Sequence, residues 1–154
     1  MVGRYIFALS SLPSDEDLNV FEEKIHYSFA NKALLREALQ VPSGFNGDGN
    51  KRLALIGDKI LGLILARSGR NENKTKGKTT EMINARAGNA HLAKQGFVLG
   101  IDIFIVKNPC QCDIMPKVMA DTMQAIIGAV YIDCNEQIQP CVDVMIVLGL
   151  SWPE

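Results

Sequence analysis

One stretch restricts the fold more than any other. Residues 51–66, KRLALIGDKILGLILA, carry Leu53, Leu55, Ile56, Ile60, Leu61, Leu63, Ile64 and Leu65. The run is too long for a strand, and its apolar residues cover nearly the whole circumference of a helix. A helix apolar all round is buried on most sides. Asp58 interrupts it directly after Gly57. An ionised carboxylate among apolar neighbours is costly unless it is paired or bound to a metal. Glycine inside a helix costs about 1 kcal/mol relative to alanine, and it is tolerated where another backbone must come close. The pattern predicts a helix crossed tightly near Gly57 and Asp58.

A second run of the same kind lies at residues 117–132. It carries Asp121, Gln124 and Gly128 at i, i+3 and i+7, so the three share a face. Lys51, Ala54 and Asp58 share a face of the first helix by the same spacing. If the two faces meet, Asp58 meets Asp121. Two carboxylates in a low-dielectric site repel unless a cation sits between them. That cation is either a divalent metal or a lysine.

The remaining segments are shorter. Residues 1–17 read as an irregular arm, and a helix begins near Asp17 with Leu18, Phe21 and Ile25 on one side. Asn31 caps a second helix with Leu34, Leu35, Ala38 and Leu39 inward, and Pro42 stops it. Residues 44–50 and 108–116 read as loops. Residues 67–78, RSGRNENKTKGK, hold five basic residues, one acid and no apolar residue. They predict a mobile loop, either merely solvated or in contact with phosphates. Thr79 or Thr80 caps the next helix, which Gly96 ends. Residues 101–106, IDIFIV, have strand-like composition but no evident strand to pair with. Residues 137–148 give a last helix with Pro140 near its start. The sum is an all-α fold of about six helices, with one domain over residues 18–150.

A formal net charge of −1 removes any global attraction to nucleic acid, so such binding must rest on a local patch. Cys110, Cys112, Cys134 and Cys141 do not make a zinc pattern, and they read as reduced intracellular thiols. No run reaches the roughly 18 apolar residues of a membrane span.

Three blocks carry a family resemblance: YSFANKALLREAL at residues 27–39, KRLALIGDKILG at residues 51–62, and ADTMQAIIGAVYID at residues 120–133. In this order and spacing the chain resembles the ribonuclease III catalytic domain from about Phe21 to Leu148. The resemblance implies an all-helical domain that pairs about a two-fold axis, with a valley for double-stranded RNA between subunits. It also implies Mg²⁺-dependent hydrolysis of RNA phosphodiesters by clustered carboxylates. The family signature reads acid-x-x-Glu-x-x-Gly-Asp. Here Lys51 and Ala54 stand at its two acids, and only Asp58 matches. A further family glutamate aligns best with Lys76, before Gly77. In the last block Asp121 matches, while the following glutamate is Gln124.

Alanine cannot reach a metal, glutamine loses the charge and lysine reverses it. A hard divalent cation is bound mainly by acidic oxygens. The resemblance therefore implies a degenerate, non-cleaving site with no metal expected, in which Lys51 or Lys76 supplies the cation for Asp58 and Asp121. Arg67, Arg70, Lys74, Lys78 and Arg86 are the candidate phosphate contacts. The expected partners are a second copy of the chain, double-stranded or structured RNA, and an RNA–protein particle, within a cell and without a membrane. No double-stranded-RNA-binding domain is expected after Leu150. Two alternatives stand beside this: an active Mg²⁺- or Mn²⁺-dependent nuclease with a reduced site, and a protein–protein module built on the dimer surface.

Overall fold

The computed structural model describes residues 13–43, 47–107 and 113–154. Most of the expected arm, and parts of both expected loops with Cys110 and Cys112, lie outside these residues. The described residues form seven α-helices, a 3₁₀ turn and no extended strand. The all-α expectation holds.

Helix α1, Asp15–Ile25, starts two residues earlier than the sequence suggested. Ser14 closes a capping box with Asp17, and three acids occupy the first turn, where the helix dipole favours negative charge. Leu18, Phe21 and Ile25 are fully buried, as their spacing implies. Helix α2, Lys32–Ala38, is capped by Asn31, whose side chain accepts from the Ala33 amide at 3.0 Å. Glu22 is buried, and its carboxylate takes the Phe29 amide and the Lys32 ammonium.

Helix α3, Lys51–Asn71, is the long central element. At 21 residues it spans about 32 Å. The stretch read as a basic loop belongs largely to helices: residues 67–71 finish α3, and helix α4, Lys76–Ala87, begins after a short turn. Thr75, not Thr79 or Thr80, caps α4. Gly69 makes the close return possible, because a Cβ there would lie 2.4 Å from the Thr79 hydroxyl oxygen. Burial was expected on most sides of α3, and one side is left open. Leu55 is 63% and Leu63 54% exposed. With Lys59 and Gly62 they form one side that no other helix among the described residues covers.

Gly88 divides the expected third amphipathic helix, and helix α5, Asn89–Val98, follows it. Gly96 lies buried inside α5 rather than at its end, because a Cβ there would meet Met119. Residues 101–106 resolve into a 3₁₀ turn, Ile101–Phe104, and a single parallel bridge from Val106 to Gln40. Helix α6, Pro116–Asp133, runs through the middle of the core, with nearly all of its residues from Met119 onward buried or half-buried. Helix α7, Ile138–Leu148, holds Pro140 in its first turn and ends at Gly149 in the left-handed region. Asn50 is 1% exposed and ties three elements together. Its amide donates to the Ala38 carbonyl at 2.9 Å and the Thr122 hydroxyl at 3.1 Å.

Candidate active-site cleft and basic face

The cleft exists because α3 and α6 cross at glycines. A Cβ on Gly57 would lie 1.7 Å from the Gln124 carbonyl oxygen, and one on Gly128 would lie 2.1 Å from that of Leu53. No side chain fits between the two backbones. Asp58 follows Gly57 and Asp121 lies seven residues before Gly128, so the crossing that demands the glycines also brings both carboxylates to one cleft. The cleft measures about 340 Å³. Lys51, Ala54, Asp58, Asp121 and Gln124 line it, together with Leu55, Asn89 and Lys117. The faces inferred from the i, i+3, i+7 spacings therefore do meet.

Each carboxylate has a partner from this chain. The Gln124 amide nitrogen donates to Asp58 at 3.2 Å, and the Lys59 ammonium approaches the other Asp58 oxygen at 3.7 Å. Asp121, whose side chain is 14% exposed, pairs with the Lys117 ammonium at 2.5 Å, one helical turn away. Lys51 lines the cleft, but the cation on Asp121 is Lys117, which the sequence reading passed over. Its signal was present, since Lys117 and Asp121 stand at i, i+4 on one helix. Asn89 was also passed over, because the break at Gly88 that brings it to the cleft was not foreseen.

Tested as a metal cage, this donor set falls short. Mg²⁺ calls for near-octahedral oxygen ligands, mostly acidic groups and waters. The cleft offers two carboxylates and one amide, and an ammonium sits on the more buried carboxylate. Among the described residues, no three His, Cys, Asp or Glu side chains converge as a metal-binding group. Two carboxylates and one amide are fewer acidic oxygens than a Mg²⁺ site usually draws from protein.

Lys76 lies elsewhere. It lines a second cleft of about 540 Å³ between the end of α3 and the start of α4, with Arg70, Asn73, Lys74 and Thr80. Among the described residues, Arg67, Arg70, Lys74 and Lys76 form no ion pair, while Lys78 meets Glu81 at 3.4 Å on the surface. Arg86 is engaged with the chain itself: its Nε donates to the Ser151 carbonyl at 2.9 Å. Among the described residues no helix is long and apolar enough to cross a membrane.

Comparison with known proteins places these features in a family. The family model described as "Ribonuclease III domain" matches residues 51–135, which include both aspartates and both crossing glycines. Ribonuclease 3 of Coxiella burnetii is 31% identical over 132 residues, covering 81% of this chain and 56% of that protein. Ribonuclease 3 of a Nitratiruptor species is 31% identical over 126 residues, covering 77% of this chain and 55% of its own length. The chain thus spans about half the length of the curated relatives it matches. Among solved structures, a nuclease domain of ribonuclease III from Campylobacter jejuni, studied for flexibility in a region involved in dimer formation, superposes with a TM-score of 0.76. It is 22% identical, and the match covers 86% of this chain and 96% of that one. On the strength of the family match and the helix crossing that underlies it, this chain belongs to the ribonuclease III domain family.

Proposed function

We propose that the chain is a non-cleaving ribonuclease III-type domain that binds structured RNA as a two-fold dimer. The observation that carries this reading is the Lys117–Asp121 ion pair beside the Gln124–Asp58 hydrogen bond. A protein ammonium and a protein amide stand where a metal-dependent nuclease needs further negative charge. Metal-assisted phosphodiester hydrolysis uses the cation to activate water and to stabilise the leaving oxygen. Without several carboxylates to gather that cation, neither contribution is supplied.

Two further features support the binding half of the reading. Arg67, Arg70, Lys74 and Lys76, which have no ion-pair partner among the described residues, lie near the junction of α3 and α4, which suits phosphate contacts. The side of α3 that exposes Leu55 and Leu63 has an apolar character that suits a second copy of the chain.

The test is a cleavage assay on long duplex RNA with Mg²⁺ or Mn²⁺, run beside electrophoretic binding across a salt series. The expected result is salt-sensitive binding without cleavage, with cleavage appearing in the combined Ala54→Glu, Gln124→Glu, Lys117→Ala variant. Cleavage by the unaltered chain that disappears in Asp121→Asn would overturn the silent-site reading. Self-association with no RNA binding at any salt concentration would leave the protein–protein module instead.

A further inference from the structure

Away from both clefts, reactive groups gather at the turn between α6 and α7. Cys134 caps the end of α6, and Cys141 lies in the first part of α7. Both thiols donate to one acceptor, the Gln137 carbonyl, at 3.2 Å and 3.7 Å. The Cys134 thiol also reaches the Tyr131 carbonyl at 3.5 Å, so it sits on the turn that joins the two helices. The backbone between them is sharply folded: Asn135 and Glu136 have φ of 57° and 64°. Consecutive non-glycine residues in the left-handed region are uncommon. The Glu136 amide closes the turn on the Tyr131 carbonyl at 2.8 Å. The left-handed turn sets both thiols against the same carbonyl oxygen. Cys134 is partly accessible and Cys141 is fully buried.

We propose that Cys134 and Cys141 form an oxidisable dithiol that closes to an intramolecular disulfide by exchange with a small-molecule disulfide such as oxidised glutathione. The inference is independent of any RNA-binding role. In the first step the Cys134 thiolate attacks one sulfur of the small disulfide. The S–S bond of that reagent breaks, and one glutathione leaves and takes up a proton. In the second step the Cys141 sulfur attacks Cys134 in the mixed disulfide and expels the second glutathione, which takes up the proton that Cys141 gives up. Two protein thiols are oxidised, and one disulfide is reduced to two thiols. Accessibility fixes the order of the two roles. Cys141 is sealed from solvent, and burial, followed by the neighbouring Cys134, pushes its thiol up to about 12. It remains a thiol until the mixed disulfide forms beside it.

The bridge would brace a structural junction. Asp133, next to Cys134, accepts from the Tyr27 hydroxyl at 2.7 Å and from the Ala30 and Asn31 amides at 2.9 and 2.8 Å. The α6–α7 turn is thereby the anchor for the link between α1 and α2.

The test treats the folded full chain with oxidised glutathione, with and without Cys110→Ser and Cys112→Ser, followed by alkylation and peptide mapping. The expected product is a Cys134–Cys141 bridge, seen as a mass lower by about 2 Da, with a raised thermal midpoint that dithiothreitol reverses. In the double-serine background, Cys141→Ala should instead accumulate a glutathione adduct on Cys134. A lasting adduct on Cys134 when Cys141 is present, no reaction of either thiol, or pairing of Cys134 with Cys110 or Cys112 would each overturn the proposal.

Discussion

At the residue scale, Gly57 and Gly128 decide whether the cleft exists. Their sequence signal was legible, since a glycine in a strongly apolar helix needs a reason, and the reason is a carbonyl oxygen where a Cβ would stand. Gly57→Ala or Gly128→Ala pushes backbone against backbone rather than against a flexible side chain. Either should destabilise the fold by about 3 kcal/mol or more, measurable by chemical denaturation. Tyr27 was not legible as anything beyond part of a motif. Burial, and then its hydrogen bond to Asp133, raise its hydroxyl above the ordinary value of 10.0. A folded-state pKa above the unfolded one means the stabilisation is complete below about pH 10 and is lost as pH rises through the folded value. Tyr27→Phe should cost about 1 kcal/mol at neutral pH. It should also flatten the alkaline decline in stability seen in thermal melts of the parent chain.

At the element scale, periodicity located the helices, while their ends depended on neighbours. The spacing of Leu18, Phe21 and Ile25 gave α1 its buried side, and Asn31 gave α2 its cap. Residues 67–78 misled because they contain no apolar residue, yet helix is maintained there by the contact of Gly69 with Thr79 and by the Thr75 cap. Thr75→Ala should therefore cost about 1 kcal/mol, whereas a solvated loop would lose almost nothing. Residues 101–106 were ambiguous for a related reason: their partner is one bridge to Gln40, too small a pairing to leave a pattern. The second cleft belongs to this scale as well, because it lies between the end of one helix and the start of the next. If Arg70, Lys74 and Lys76 each neutralise one phosphate, their combined replacement by alanine should lower the slope of log affinity against log salt by about 2–3. Arg86→Ala should act chiefly on stability, since its Nε already holds the Ser151 carbonyl.

At the scale of the whole molecule, the family's helical scaffold carries a cleft of two carboxylates, an amide and a paired ammonium. The fold was legible because three blocks of sequence hold the same helix crossing that the structure displays. The identity of the cation was not legible. Lys51 and Lys76 stood at aligned positions and drew attention, but Lys76 lies in another cleft and the ammonium on Asp121 comes from Lys117. A motif resemblance proposes which residue stands at an acid's position. It does not report which neighbour then occupies the space. The uncovered side of α3 leads to a further expectation: Leu63→Lys should shift the chain toward monomer in sedimentation equilibrium while leaving its helical circular dichroism unchanged. Most directly, Mn²⁺ can be titrated into the folded chain and the free ion followed by electron paramagnetic resonance, beside the Ala54→Glu, Gln124→Glu, Lys117→Ala variant. The proposed non-cleaving reading predicts that Mn²⁺ stays free with the unaltered chain and is taken up by the variant. Stoichiometric uptake by the unaltered chain, abolished in Asp58→Asn or Asp121→Asn, would contradict it.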